Sequence, residues 1–323
     1  MKLLFTSAGR RVSLLREFRR AADDLGIPLI LHAADCQPMA PALQIADQVV
    51  IVPSVAEVGY EACLVEYCRT HEIDALIPLI DPELWPLCNA RERFEAVGTR
   101  VILSSRDVLT VSVDKIRTAE FLTSHRFRTP RILTEEQLVS PLYPLFIKPR
   151  VGSSSLGAHK IRSSTDLAYY RDDRRETIVQ EFVEGVEYTV DVFADFDGRP
   201  RCAVPRRRWE VRGGEVSKGQ TVRHAAIMAE SCRVVEALGG CVGMMTIQCF
   251  LTSADEIVFI EINPRFGGGA PLSIRAGADS PRWLLELLLG RQPDIAMDGW
   301  ADGLMMLRYD EGLFVRPDEL PSP

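Results

Sequence analysis

Several signals are missing from this sequence. Eight cysteines form no CxxC pair and five histidines form no HExxH, so neither a zinc ribbon nor a zincin-like centre has its ligands. The cysteines (Cys36, Cys63, Cys68, Cys88, Cys202, Cys232, Cys241 and Cys249) sit largely in apolar runs and are expected as buried, reduced thiols. No Ser-His-Asp or Cys-His arrangement offers a nucleophile. No apolar run reaches the roughly 18 residues of a membrane span. Met1-Lys2-Leu3-Leu4-Phe5 opens into a strand-like run where a secretory leader would need charged, apolar and small residues in turn. Basic residues (38) are fewer than acidic ones (45), and the net charge of −7 excludes a chain-wide nucleic-acid footprint. Arg206-Arg207-Arg208 is too short a run to change that. A cytoplasmic protein without nucleic-acid or membrane partners is the expectation, with a homodimer as the default assembly.

What is present suggests two domains in 323 residues. The first hundred alternate two periods. Lys2 to Thr6 reads as a strand, and Val12, Leu14, Leu15, Phe18, Ala21, Ala22 and Leu25 recur at helical spacing. A strand from Pro28 to Ala33 ends at Asp35, and Gln48 to Val52 is the next. Glu57 to His71 reads as a helix, Ala75 to Ile80 as a strand ending at Asp81, and Arg100 to Leu103 as another. Such alternation predicts a parallel sheet whose ligands bind beyond the carboxyl ends of its strands, where Arg10, Asp35 and Asp81 fall. Ser7-Ala8-Gly9-Arg10-Arg11 is not GxGxxG, so a dinucleotide site is poorly supported. Beyond about residue 106, helices (Lys115 to His125, Ala225 to Leu238) mix with hairpin-like strands. Pro200 to Gly219, rich in Arg and Gly, reads as a mobile loop.

The densest chemistry lies in Ile257 to Gly269. Glu261 and Asn263 project from the same side of a strand, Pro264 stops the ladder, and Arg265 and three glycines follow. Met245 to Leu251, the polar stretch Thr252 to Glu256 and the Glu261 strand form a hairpin pattern. A turn centred between Ala254 and Asp255 puts Gln248 opposite Glu261, whereas a one-residue slip would turn it away. Gln248, Glu261 and Asn263 would then converge as oxygen ligands beside a guanidinium, an arrangement suited to a hard cation on phosphates. The alternative is a polar face on an exposed hairpin. A second element places Lys148 inside the apolar run Pro144 to Arg150, ahead of Gly152-Ser153-Ser154-Ser155-Leu156-Gly157, a backbone able to meet phosphate oxygens. It is not a Walker A loop, because Ala158-His159 stands where Lys-Ser/Thr is required. In a third, Gln180, Glu181 and the backbone at Val183 could meet a purine edge and Glu187 a ribose, although an acidic edge strand explains the segment equally well. The fourth, Asp114-Lys115, opens a helix, where a lone lysine is usually only solvated.

Taken in order, these four elements resemble the ATP-grasp superfamily, most closely its branch like the carbamoyl-phosphate synthase large subunit. The resemblance implies an α/β and α+β fold: a parallel pre-ATP-grasp domain over 1–107, an ATP-grasp domain over 108–295 with a lid at about 130–183, and a C-terminal strand and tail over 296–323. It implies ATP with magnesium (manganese as a substitute). Lys115, Lys148, Ser153 and Ser154 would bind phosphates, Gln180, Glu181 and Val183 adenine, and Glu187 the ribose. Gln248, Glu261 and Asn263 would hold the metal, and Arg265 and Lys148 would act on the transferring phosphoryl group. Many members have an acidic residue where Gln248 stands, so this chain brings one fewer negative charge to the metal. The implied activity is ligation of a small-molecule carboxylate to an amine through an acyl phosphate. A kinase that stops at phosphoryl transfer, and a non-catalytic ATP-binding protein, are the alternatives. Carbamoyl phosphate synthesis itself is not expected, since that family's large subunit resembles two such units in tandem and this chain holds one. Arg275, Arg208, Lys218 and Arg10 are candidate substrate ligands, Arg275 foremost because it follows the glycines and could grip a carboxylate bidentately.

Overall fold

The structure, a computed structural model, describes residues 1–152, 157–171 and 176–321. In chain order the elements are β1 (Lys2–Thr6), α1 (Val12–Leu25), β2 (Ile30–Asp35), β3 (Gln48–Ile51), α2 (Tyr60–His71), β4 (Ala75–Pro78), α3 (Leu84–Asn89), α4 (Arg91–Ala96) and β5 (Arg100–Val101). Then come α5 (Arg106–Val113), α6 (Lys115–Ser124), β6 (Leu145–Pro149), β7 (His159–Ile161), α7 (Ser164–Tyr170), β8 (Thr177–Glu181) and β9 (Val186–Ala194). The remainder are β10 (Pro200–Arg212), β11 (Glu215–Thr221), α8 (Ala225–Leu238), β12 (Gly243–Leu251), β13 (Ile257–Asn263), α9 (Ala270–Arg275), α10 (Ser280–Leu288) and β14 (Met305–Leu307).

Among the described residues the strands form three sheets. The first is parallel, in the order β3-β2-β1-β4-β5. It follows from the alternation of short apolar strands with amphipathic helices. Helix α1 buries Leu14, Leu15, Phe18, Ala21 and Ala22 and ends at Gly26, whose φ of 65° lets its N–H reach back to the last carbonyls. The second sheet is antiparallel, β13-β12-β9-β10-β11-β14. The third, β7-β6-β8, is also antiparallel and carries its own small core of Leu145, Ile147, Ile161, Leu167 and Val179. The fold is thus the expected parallel α/β part followed by antiparallel α+β parts.

The stretch from Pro200 to Gly219 is not a mobile loop. It forms two long strands, β10 and β11, joined at Gly213-Gly214. Two of its arginines are not solvated decoration: Arg206 is fully buried, with Nε and Nη2 2.8 Å from the Asp191 carboxylate, and the Arg208 side chain is 8% exposed. All eight cysteines are free; five are buried, Cys63 and Cys232 are partly covered and Cys36 is exposed. No helix among the described residues is long and apolar enough to cross a membrane.

Candidate active site

A cavity of about 250 Å³ lies between the third sheet and the β12–β13 hairpin of the second. Strand alternation aims the key side chains. Ile147 packs inward in its small core, so Lys148 turns to the opposite face and borders the cavity. Phe146, two residues earlier, lines the same cavity, as do Gln248 and Phe250 from β12. Lys115, Gly152, Gln180, Glu181, Val183, Glu187 and Glu261 complete most of the wall. Elements far apart in sequence therefore meet here, with apolar surfaces around a few charged groups.

The hairpin register is the one expected from the sequence: Gln248 faces Glu261 and Thr246 faces Asn263. Next to this pair the register shifts, since Cys249 faces Phe259, and Ile260 is the extra residue of a bulge. The bulge brings the Ile260 carbonyl to Lys148, whose Nζ donates to it at 3.3 Å. Burial lowers the Lys148 amine from 10.5 to about 8; the charge of Glu261 opposes the shift and that of Lys115 adds to it. Lys115 opens α6, which Asp114 caps by accepting the Ile116 N–H at 2.9 Å. Its Nζ donates to the Gly152 carbonyl at 2.7 Å.

A second, polar cavity of about 100 Å³ shares Gln248 and Glu261 with the first and adds Asn263, Arg265, Arg11, Arg206, Arg208 and the three glycines. Gln248 Nε2 donates to Glu261 Oε2 at 3.1 Å, and Arg208 Nη1 donates to Gln248 Oε1 at 3.0 Å. The same guanidinium lies 2.7 Å from the Glu187 carboxylate and donates to the Gly214 carbonyl at 3.0 Å. Burial raises the Glu187 carboxyl pKa; Arg208 works against that and Glu261 with it. Arg265 reaches across to the first sheet and binds Asp81 bidentately, at 2.9 and 2.5 Å. The glycines are there because arginines crowd them. A Cβ on Gly269 would sit 2.2 Å from Arg206 Nη1, and one on Gly268 would sit 2.7 Å from both Arg11 Nη1 and Glu215.

A third cavity, of about 190 Å³, lies beyond the carboxyl ends of β1 and β4, among Ser7 to Arg11, Ile80, Glu215, Gly268 and Arg308. Two carboxylates fix its rim. Asp35 accepts the Gly9 N–H at 2.8 Å. Buried Glu83 accepts from Tyr60 (2.6 Å), Ser7 (2.8 Å) and the N–H groups of Leu79 (2.6 Å) and Ile80 (3.0 Å).

Lys115, Lys148, Gln180, Glu181, Val183, Glu187, Gln248 and Glu261 thus border the first cavity, Asn263, Arg265 and Arg208 the second, and Arg10 the third. Two candidates lie elsewhere. Arg275 donates to buried Glu17 of α1 at 2.5 Å, fastens α9 to α1 and lines the open groove outside these three cavities. Lys218 is half-exposed and paired with Glu210 at 2.6 Å. Ser153 and Ser154 lie outside the described residues. The sequence reading missed Phe146 and Phe250, although period two from Lys148 and Gln248 points to both. It also missed Arg11, although the carboxyl-end rule that picks out Arg10 covers the same turn, and Glu215, for which no local signal exists.

Two family models match the chain, a PylC-like N-terminal domain over residues 3–102 and an ATP-grasp domain over 112–269. A formate-dependent phosphoribosylglycinamide formyltransferase from Synechococcus elongatus is 29% identical over 283 residues, spanning 79% of this chain and 70% of the relative. Its counterpart from Synechocystis is 28% identical over 320 residues, 92% of this chain and 79% of the relative. Among solved structures, L-amino acid ligase from Bacillus licheniformis superposes with a TM-score of 0.70 at 17% identity, covering 89% of this chain and 74% of that one. N5-carboxyaminoimidazole ribonucleotide synthetase from Thermotoga maritima gives 0.66 at 20% identity, covering 93% and 78%. The chain therefore carries an ATP-grasp domain over 112–269, preceded by a PylC-like N-terminal domain over 3–102.

Proposed function

We propose that this protein is an ATP-dependent ligase that joins a small carboxylic acid to an amine through an acyl phosphate, releasing ADP and phosphate. The observation that carries this reading is the meeting of Lys148 and Lys115 with Gln248 and Glu261 around one apolar-walled cavity, directly beside Asn263 and Arg265. The relatives named formate-dependent formyltransferases and the structural neighbour named L-amino acid ligase favour the same class of reaction.

In this reading Phe146, Phe250, Gln180, Glu181 and Val183 enclose adenine, Glu187 takes a ribose hydroxyl, and Lys115 and Lys148 meet the phosphates. The donor set fits magnesium: an amide, a carboxylate and an amide, all hard oxygen ligands. Among the described residues no group of three or more His, Cys, Asp or Glu side chains could hold a metal by itself. An ion at Glu261 would therefore lean on the carbonyl oxygens of Gln248 and Asn263 and on the nucleotide's own phosphates. Bound there, magnesium would supply charge neutralisation to the polyphosphate. Arg208 now holds both Glu187 and Gln248, so it must release them for the ribose and the ion. Freed, its guanidinium is placed to meet phosphate.

The chemistry then needs no protein nucleophile. The acid's carboxylate oxygen attacks the γ-phosphorus and the bond to the β-phosphate oxygen breaks. Lys148 and Arg265 stabilise charge on the phosphoryl oxygens, with Asp81 fixing the orientation of Arg265. The amine next attacks the acyl carbon, phosphate leaves, and the nitrogen loses a proton. The second cavity, polar and enclosed by glycine backbone, is where water must be kept from the acyl phosphate. The test is ADP release from pooled acids and amines with hydroxylamine as a trap. Hydroxamate formation from a cognate acid is expected. A stable phosphorylated product without an amine would favour a kinase, and nucleotide binding with no turnover for any acid would overturn the reading.

A further inference from the structure

At the third cavity three guanidiniums converge on one carboxylate. Arg11 comes from the β1–α1 turn, Arg10 precedes it, and Arg308 follows β14; all three face Glu215 at the start of β11. The distances to its carboxylate are 3.4 Å for Arg11, 4.0 Å for Arg10 and 2.9 Å for Arg308. Asp81 is already taken by Arg265, and the rim carboxylates Asp35 and Glu83 by N–H and hydroxyl donors. Glu215 is therefore the one ion-pair partner that all three guanidiniums share among the described residues.

Arg11 is the most buried of the three. Its side chain is 17% exposed, and Glu215 at 3.4 Å is its one ion-pair partner among the described residues. Burial lowers its pKa from the ordinary arginine value, Glu215 opposing that shift and Arg265 and Arg308 adding to it. A buried guanidinium is retained at such cost where it is paired or where a ligand pairs it. Arg10, by contrast, is 77% exposed and lines the mouth of the cavity. The rim is rigid on the other side, since Asp35 and Glu83 pin Gly9, Ser7 and Ile80.

The cavity is also correctly connected. It shares Arg11, Glu215, Gly267 and Gly268 with the second cavity, which holds Glu261, Asn263 and Arg265. The Gly267-Gly268 backbone and the side chains of Arg11 and Glu215 form the wall that the two share. On its outer side it shares Arg10, Met306 and Arg308 with an open groove of about 910 Å³. A molecule entering from the groove would pass the arginines before reaching the phosphoryl end.

We infer that Arg11, with Arg10 and Arg308, receives the anionic group of the second substrate, an amine that also bears a carboxylate or a phosphate ester. Glu215 occupies this anion site until the substrate displaces it. That the ligand is the amine rests on the ligase reading above; the anion site itself does not.

The first arm of the test needs no turnover. Inorganic phosphate and, separately, acetate are titrated into the full chain without nucleotide, followed by calorimetry and melting temperature. Arg11→Gln should weaken phosphate binding at least about tenfold, the usual scale for losing a hydrogen bond between charged groups. Arg308→Gln, at a more exposed site that tolerates change, should weaken it severalfold. Glu215→Gln should strengthen it by removing the competing carboxylate. Binding that is lost in Lys148→Met but unchanged in both arginine variants would place the anion at the nucleotide's phosphates and overturn the inference. The second arm compares amines carrying a carboxylate or phosphate with their neutral esters in the ADP-release assay. A kcat/KM preference for the anionic amine that vanishes in Arg308→Gln is expected. Equal use of anionic and neutral amines would refute the assignment to the second substrate. If no amine supports turnover, the ligase reading fails while the phosphate titration still decides the anion site.

Discussion

Raising the pH should weaken nucleotide binding through a single amine. In the free protein Lys148 titrates at about 8, because its environment is poor in water and its hydrogen-bond acceptor is a neutral carbonyl. Phosphate oxygens would favour the charged form and return the amine to at least its ordinary value of about 10.5. The sign follows directly. Below pH 8 the amine is already protonated and affinity is full. Between the free and bound values each added pH unit removes up to tenfold. At pH 9.5 the loss is about 30-fold, or about 2 kcal/mol at about 1.4 kcal/mol per unit. Without nucleotide the effect on stability has the opposite sign. A lysine whose folded pKa is depressed costs the fold most while it is charged, so stability should rise as pH climbs from about 8 towards 10.5. Calorimetric titration with ADP and magnesium from pH 7 to 9.5, in two buffers of different ionisation heat, measures both the affinity and the proton taken up. Lys148→Met should bind more weakly and show neither the slope nor the proton uptake. A flat wild-type affinity across this range, or the same slope in Lys148→Met, would refute the reasoning.

Other outcomes follow from single contacts. Glu261→Ala should abolish ADP release while the circular dichroism spectrum and melting temperature stay near wild type; normal turnover by the folded variant would remove the metal assignment. Arg206→Leu leaves Asp191 buried with, among the described residues, only Ser273 as a side-chain partner, and should cost about 3–5 kcal/mol in denaturant unfolding. Arg275→Gln should cost about 1–2 kcal/mol by leaving Glu17 to Arg20 alone, yet leave the KM for the acid unchanged. A large rise in that KM would restore Arg275 as a substrate ligand.

Much of this was legible because local rules act locally. Period two aims Lys148 away from Ile147, and the polar break at Thr252 to Glu256 sets a hairpin in which Gln248 meets Glu261. The alternation of the first hundred residues predicts a parallel sheet, and the carboxyl-end rule places Arg10, Asp35 and Asp81 near its ligand face. What was not legible depends on long-range partners. Nothing near Arg275 in sequence announces Glu17, which lies 258 positions away. The same holds for Arg265 and Asp81, 184 positions apart. The Pro200 to Gly219 stretch misled because arginine and glycine are common in loops. Here Arg206 and Arg208 are buried against Asp191 and Glu187, and Gly213-Gly214 merely turns a hairpin. The bulge at Ile260 has no composition signal, yet it supplies a hydrogen bond that holds Lys148 in place.

The most direct measurement is a crystal structure of the protein with ADP and manganese, the ion located by its anomalous scattering. The ion should lie against the side-chain oxygens of Glu261, Gln248 and Asn263 and the nucleotide's phosphates, with Lys148 on the same phosphates. An ion bound elsewhere, with Gln248 still held between Arg208 and Glu261, would contradict the account.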